Sequence, residues 1–136
     1  MALSWPLRWL AWAAGVGGLA LLGVARTLDP AAVGYGTHRQ LGLPPCFSLV
    51  AWGAPCPACG MTTSWALATR GQWQAAIEAN AGGFLLAAIA LAYFPASCYL
   101  LIGGRSRRRG VFSFVLGSGL LASLLVATLQ WAIRLG

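Results

Sequence analysis

Three long runs without a charged residue dominate what this chain can fold into. Seventeen uncharged residues lie between Arg8 and Arg26, twenty-six between Glu78 and Arg105, and twenty-four between Arg109 and Arg134. About twenty apolar residues in a helix cross the hydrocarbon of a bilayer. The second and third runs exceed that length. The first, WLAWAAGVGGLALLGVA, is adequate with Arg8 snorkelling to the interface and with Ser4, Trp5 and Pro6 supplying a cap, a belt residue and a first turn. A basic start, an apolar core and small residues near Ala25 also fit a secretory signal; the expectation is a retained span. With 59% hydrophobic and 8% charged residues, against about a quarter charged in soluble domains, the composition is that of an integral membrane protein.

A further uncharged run of thirty residues, Gln40 to Thr69, is broken by Pro44, Pro45, Gly53, Pro55, Pro57 and Gly60, so no continuous helix crosses here. Irregular backbone at membrane depth has to be buried in protein or line a cavity. The segment is therefore expected to be interfacial or re-entrant, with MTTSWALATRGQWQAAIEAN helix-compatible and Gly71 breaking it. The predicted fold is an all-α integral membrane protein forming a single membrane domain over 1–136. Three transmembrane helices fall at about 7–26, 82–103 and 111–132, and a Cys-rich helical cap at about 38–75 lies between the first and second. Pro95 is expected to kink the second span. Small residues mark the seams where helices approach: Ala11 with Gly15, Ala14 with Gly18, Ser113 with Gly117, and Gly119, Ser123 and Ala127.

All nine basic residues are Arg, Asp29 and Glu78 are the only acids, and the net charge is +7. The arginines sit at the ends of apolar runs rather than along one solvated face, which argues against nucleic acid as a partner. Arg105, Arg107, Arg108 and Arg109 cluster between the second and third runs, and the positive-inside rule puts such a cluster in the cytoplasm. The amino terminus then lies inside and the cysteine cap outside. The seven tryptophans fit interfacial positions, including Trp52, Trp65 and Trp73 in the middle segment.

Within that segment, Cys56-Pro57-Ala58-Cys59-Gly60 is a tight turn carrying two thiols. Three uses are open. It can be a metal knuckle, with Gly60 supplying positive φ and with Cys46 and His38 as the local residues that would complete a zinc set. It can be a redox pair, its first thiol, Cys56, stabilised by the amino end of a helix starting at Met61 and exchanging with Cys46. Or it can be a structural disulfide or quiet pair that shapes a turn. Cys98, inside an apolar run, reads as a small hydrophobe. Glu78 is expected to cap a helix or pair with Arg70, and His38 to lie in a solvated loop. One histidine and two acids give no Ser-His-Asp or paired-carboxylate arrangement, and there is no phosphate loop.

Cys46, FSLVAWGAP, Cys56, Pro57, Cys59, Gly60, Thr62 and then Gly71, Gln72 and Asn80 resemble the pattern of small bacterial membrane proteins grouped as domain of unknown function 2752. That pattern runs Cys, a short apolar stretch, Cys-Pro-x-Cys-Gly-x-Thr-Arg, a short helix, Gly-Asp, and an Asn that opens a span. Thr63 stands where the family has Arg, and Gln72 where it has Asp. The resemblance implies residence in a bacterial inner membrane and a site around the three cysteines; it implies no reaction. The expected role is a non-enzymatic accessory or structural subunit of a larger membrane complex, with the lipid bilayer and other membrane subunits as partners. The alternatives are a membrane thiol-disulfide oxidoreductase using Cys56 and Cys59, and a zinc-binding assembly factor.

Overall fold

The structure is a computed structural model that describes residues 5–102 and 109–135, with side chains from 113 in the last helix. Arg105, Arg107 and Arg108 of the basic cluster and the expected cap Ser4 lie outside the described residues, and Arg109 opens the last helix. The elements are α1 (Trp5–Thr27), a 3-10 turn (Thr37–Leu41), α2 (Phe47–Trp52), α3 (Met61–Ala68), α4 (Trp73–Leu101) and α5 (Arg109–Leu135), with no strand among the described residues. Three helices, α1, α4 and α5, are long and apolar enough to cross a membrane, and the Cys-rich segment lies between α1 and α4. The fold is that of an all-α membrane protein.

Helix α4 is the centre, with α1 packed on one side, α5 on the other and α3 against its first turns. Lipid gives no hydrophobic drive between helices, so the seams are closed by small residues. Gly15 of α1 is buried where a Cβ would lie 2.5 Å from Ser97 Oγ, and Gly18 faces the Ala90 methyl. On the other side, a Cβ on Gly82 would collide with the Ser123 carbonyl and the Ala127 methyl, and Gly119 rests against Ile89. The Ser123 hydroxyl donates to the Gly82 carbonyl at 2.6 Å. The Gly119, Ser123 and Ala127 row is thus occupied by the chain's own α4. By contrast, Gly117 has open space beside it, and Ala14 is exposed.

The expected kink at Pro95 is not where α4 departs from helical geometry. Its non-helical residue is Asn80, at φ −164° and ψ 105°. A break in a helix frees carbonyls before it and N–H groups after it, and in an apolar setting each needs a partner. Gln130 and Arg134, one turn apart on α5, supply most of them. Gln130 Nε2 donates to the carbonyls of Ile77 (2.9 Å) and Glu78 (3.3 Å), and Gln130 Oε1 accepts from Ala81 N–H at 2.7 Å. Arg134 donates to the carbonyls of Ala79, at 3.1 Å, and of Glu78. Asn80 Oδ1 accepts from Gly83 N–H at 2.7 Å, the bond of an N-cap, so the membrane-length part of α4 starts at Ala81. From there to Leu101 it is about 30 Å long, enough for one crossing.

Candidate functional site

The cap is a chain of turns set by glycines and short side-chain bonds. After α1, the Gln40 amide closes a loop on Asp29, donating to its carbonyl at 2.6 Å and accepting from its N–H at 3.0 Å. Thr37 Oγ1 accepts from Ala31 N–H and meets Thr63 Oγ1 at 2.8 Å, both hydroxyls fully buried. Thr63, in the position where the family pattern has Arg, therefore ties the first loop to α3. Gln72, in the position of the family's Asp, is exposed at the start of α4.

Gly60 precedes α3 at φ +91°, and a Cβ there would stand 2.5 Å from the Ala79 carbonyl and 2.7 Å from that of Gly34. Both the left-handed backbone and the lack of space require glycine. The close approach seats the knuckle on the break in α4. Asn80 Nδ2 donates to the carbonyls of Pro57 (3.0 Å) and Cys59 (3.1 Å), while the Asn80 carbonyl accepts from Ser64 Oγ at 3.0 Å. Trp131 of α5 donates its indole N–H to the Pro55 carbonyl at 2.6 Å, and Trp65 of α3 to the Gly83 carbonyl at 2.8 Å. These two tryptophans, expected only as interfacial residues, act as clamps.

Cys46, at the start of α2, folds back onto the knuckle. The Sγ atoms of Cys46, Cys56 and Cys59 all lie within 4.8 Å of one another. They line a cavity of about 200 Å³ together with His38, Leu49 and Met61. Thr62 also lines it. The Cys56 and Cys59 sulfurs are 3.2 Å apart, and the Cys56 N–H points at Cys59 Sγ at 3.1 Å. His38 borders the cavity, but its ring Nε2 faces the Pro44 carbonyl at 3.2 Å, and it stands outside the sulfur cluster. Cys98, in α4, is apart from it.

The thiols are electrostatically unequal. The Ser48 hydroxyl, 3.2 Å from Cys46 Sγ, draws the Cys46 thiol down to about 6, with smaller help from the other two thiols. Ser48 carries one hydroxyl hydrogen and has a second acceptor for it, the Ala54 carbonyl at 2.9 Å. Burial, reinforced by the Cys56 thiol, pushes Cys59 up to about 12. The thiol held low is therefore Cys46.

The expected Glu78–Arg70 pair is not formed. Glu78 accepts from Gln74 Nε2 at 3.2 Å, and Arg70 donates to the carbonyls of Ala66 (2.8 Å) and Leu28 (2.7 Å). Ser48, Ser64, Gln130 and Arg134 were not singled out for these roles from the sequence. The spacing of Gln130 and Arg134, four apart on one apolar helix, is the signal that marks them as a pair.

No curated protein and no solved structure matches this chain. Residues 46–94, which run from Cys46 through the knuckle and the Asn80 break into α4, match the family described as "Protein of unknown function (DUF2752)", the family that the cysteine motif resembles.

Proposed function

We propose that this is a non-enzymatic membrane subunit whose cap is fastened by a metal ion of the zinc class, held by Cys46, Cys56 and Cys59. The observation that carries the reading is the convergence of three sulfurs within 4.8 Å in one small cavity. Zinc binds thiolates at about 2.3 Å, which sets neighbouring sulfurs roughly 3.8 Å apart in a tetrahedral site. The Cys56–Cys59 separation of 3.2 Å would have to open by a few tenths of an ångström. Three protein ligands leave a fourth position for water or for a donor from a docked subunit. The bacterial inner membrane, an inside amino terminus and an outward cap belong to the same proposal and rest on the motif resemblance and the arginine cluster.

The unequal thiols favour metal over disulfide relay. In a relay, the Cys46 thiolate would attack Cys56 Sγ of a Cys56–Cys59 disulfide, forming a Cys46–Cys56 bond and expelling Cys59 as thiolate. Burial, which is the main cause that pushes the Cys59 thiol up, makes it a slow leaving group. A bound cation, by contrast, supplies the charge that ionises a coordinating thiol outright.

The test is metal analysis of the full chain purified in mild detergent without chelator, beside Cys46→Ser, Cys56→Ser and Cys59→Ser variants. One zinc per chain, lost in each variant, is expected. A metal-free protein whose Cys56 and Cys59 are joined on alkylation before reduction would replace this reading with the redox one.

A further inference from the structure

A second cavity, about 700 Å³, lies between the loop that follows α1, the end of α3, the first turns of α4 and Arg134 of α5, and the thiols do not border it. Its size is that of a small-ligand site, roughly 300–1,000 Å³. Arg70, Arg134 and Glu78 line it, together with Tyr35, Gln72 and the apolar Val33. Glu78, one of only two acids in the chain, thus lines the same cavity as two arginines.

The position fixes the depth. Helix α1 ends at Thr27, Arg134 is in the last turn of α5, and the membrane-length part of α4 starts just after Glu78 and Asn80. Where all three spans end, lipid phosphodiesters and headgroups begin.

The three charged groups are anchored yet chemically available. Arg70 is held by the Ala66 and Leu28 carbonyls and Arg134 by those of Ala79 and Glu78. A guanidinium has five N–H donors, so each keeps further donors after these bonds. The Glu78 side chain is exposed, its carboxylate takes a single bond from Gln74, and it forms an ion pair with neither arginine. A carboxylate lining the same groove as two guanidinium groups suits a ligand carrying both an anion and a hydrogen-bonding cation.

We propose that this groove binds the headgroup of a phospholipid of the phosphatidylethanolamine class, its phosphodiester on Arg70 and Arg134 and its ammonium on Glu78. Phosphatidylglycerol has the phosphate but no ammonium, and the quaternary amine of phosphatidylcholine has no N–H for the carboxylate. This site is independent of the metal reading.

The experiment is native mass spectrometry and thermal melting of the full chain in detergent. Dioleoyl phosphatidylethanolamine, phosphatidylglycerol, phosphatidylcholine and sodium phosphate are each added to wild type, Glu78→Gln and Arg134→Lys. Phosphatidylethanolamine is expected to be retained about tenfold better than phosphatidylcholine, the worth of one charge-assisted hydrogen bond. Glu78→Gln, a change on an exposed side chain, is expected to abolish that preference while leaving phosphatidylglycerol retention in place. Arg134→Lys is expected to weaken all three lipids, because an ammonium has three N–H donors against five and keeps fewer for the phosphate once the Ala79 and Glu78 carbonyls are held. Equal retention of the three lipids by the wild type, or an unchanged preference in Glu78→Gln, overturns the assignment. A full stabilising shift with sodium phosphate alone overturns it too, making the groove a simple anion site.

Discussion

At the scale of single residues, the cap turns on which groups hold which hydrogens. Ser48 divides one hydroxyl hydrogen between Cys46 Sγ and the Ala54 carbonyl, and its bond to sulfur is the main reason the Cys46 thiol falls to about 6. In the metal-free protein, Cys46 is therefore expected to be alkylated at a rate that rises through pH 6 and levels off by pH 8. Only its thiolate reacts, and a depressed pKa moves that form toward lower pH. Ser48→Ala should move the midpoint upward, toward the ordinary thiol range. Cys59, held up to about 12, should stay unreactive across the same window; peptide mapping after pulsed iodoacetamide separates the two. The knuckle and its glycine were legible in the sequence because a Cys-x-x-Cys-Gly turn is local. Ser48 was not, since a serine two residues after a cysteine carries no signal until the turn that joins them is known.

At the scale of elements, the interruption of α4 does most to position the site. Asn80 caps the long part of the helix through Oδ1 and grips the knuckle through Nδ2. Asn80→Ala removes both, and the loss should be roughly 2–4 kcal/mol, a cap plus buried carbonyls left unpaired. Asn80→Asp keeps the cap acceptor but has no N–H for Pro57 and Cys59. It should therefore retain helix content by circular dichroism while losing metal affinity and protection of the knuckle from proteolysis. At the other seam, Gly82→Ala would force a methyl against the Ser123 carbonyl and should destabilise the α4–α5 pair by about 1–3 kcal/mol in a detergent melting assay. The long uncharged runs announced the three spans because hydropathy is summed over many residues. They concealed the break, because Asn80 is one uncharged residue near a run's edge and its partners Ser64, Pro57 and Cys59 are distant in sequence. Proline was the visible breaker, yet Pro95 keeps helical backbone inside a helix whose neighbour α1 packs against it at Phe94 and Ser97.

At the scale of the whole molecule, three spans end at one level, and the chain between the first two folds there into a cap that covers their ends. In the sequence, the basic cluster follows the carboxyl end of α4. Neutralising Arg105, Arg107, Arg108 and Arg109 together should scramble orientation in reporter fusions, whereas a single replacement should leave it intact. The sulfur site ties the cap to itself, and the Asn80 clamp ties the cap to the membrane bundle. If a metal completes that site, its removal should loosen the cap without melting the spans. The most direct measurement is cobalt(II) substitution of the detergent-purified chain, followed by near-ultraviolet absorption. A sulfur-to-cobalt charge-transfer band of three-thiolate intensity is expected, saturating at one ion per chain and reduced by about a third in each single Cys→Ser variant that still binds. A spectrum identical to that of aqueous cobalt, in protein whose thiols are shown to be reduced, would contradict it.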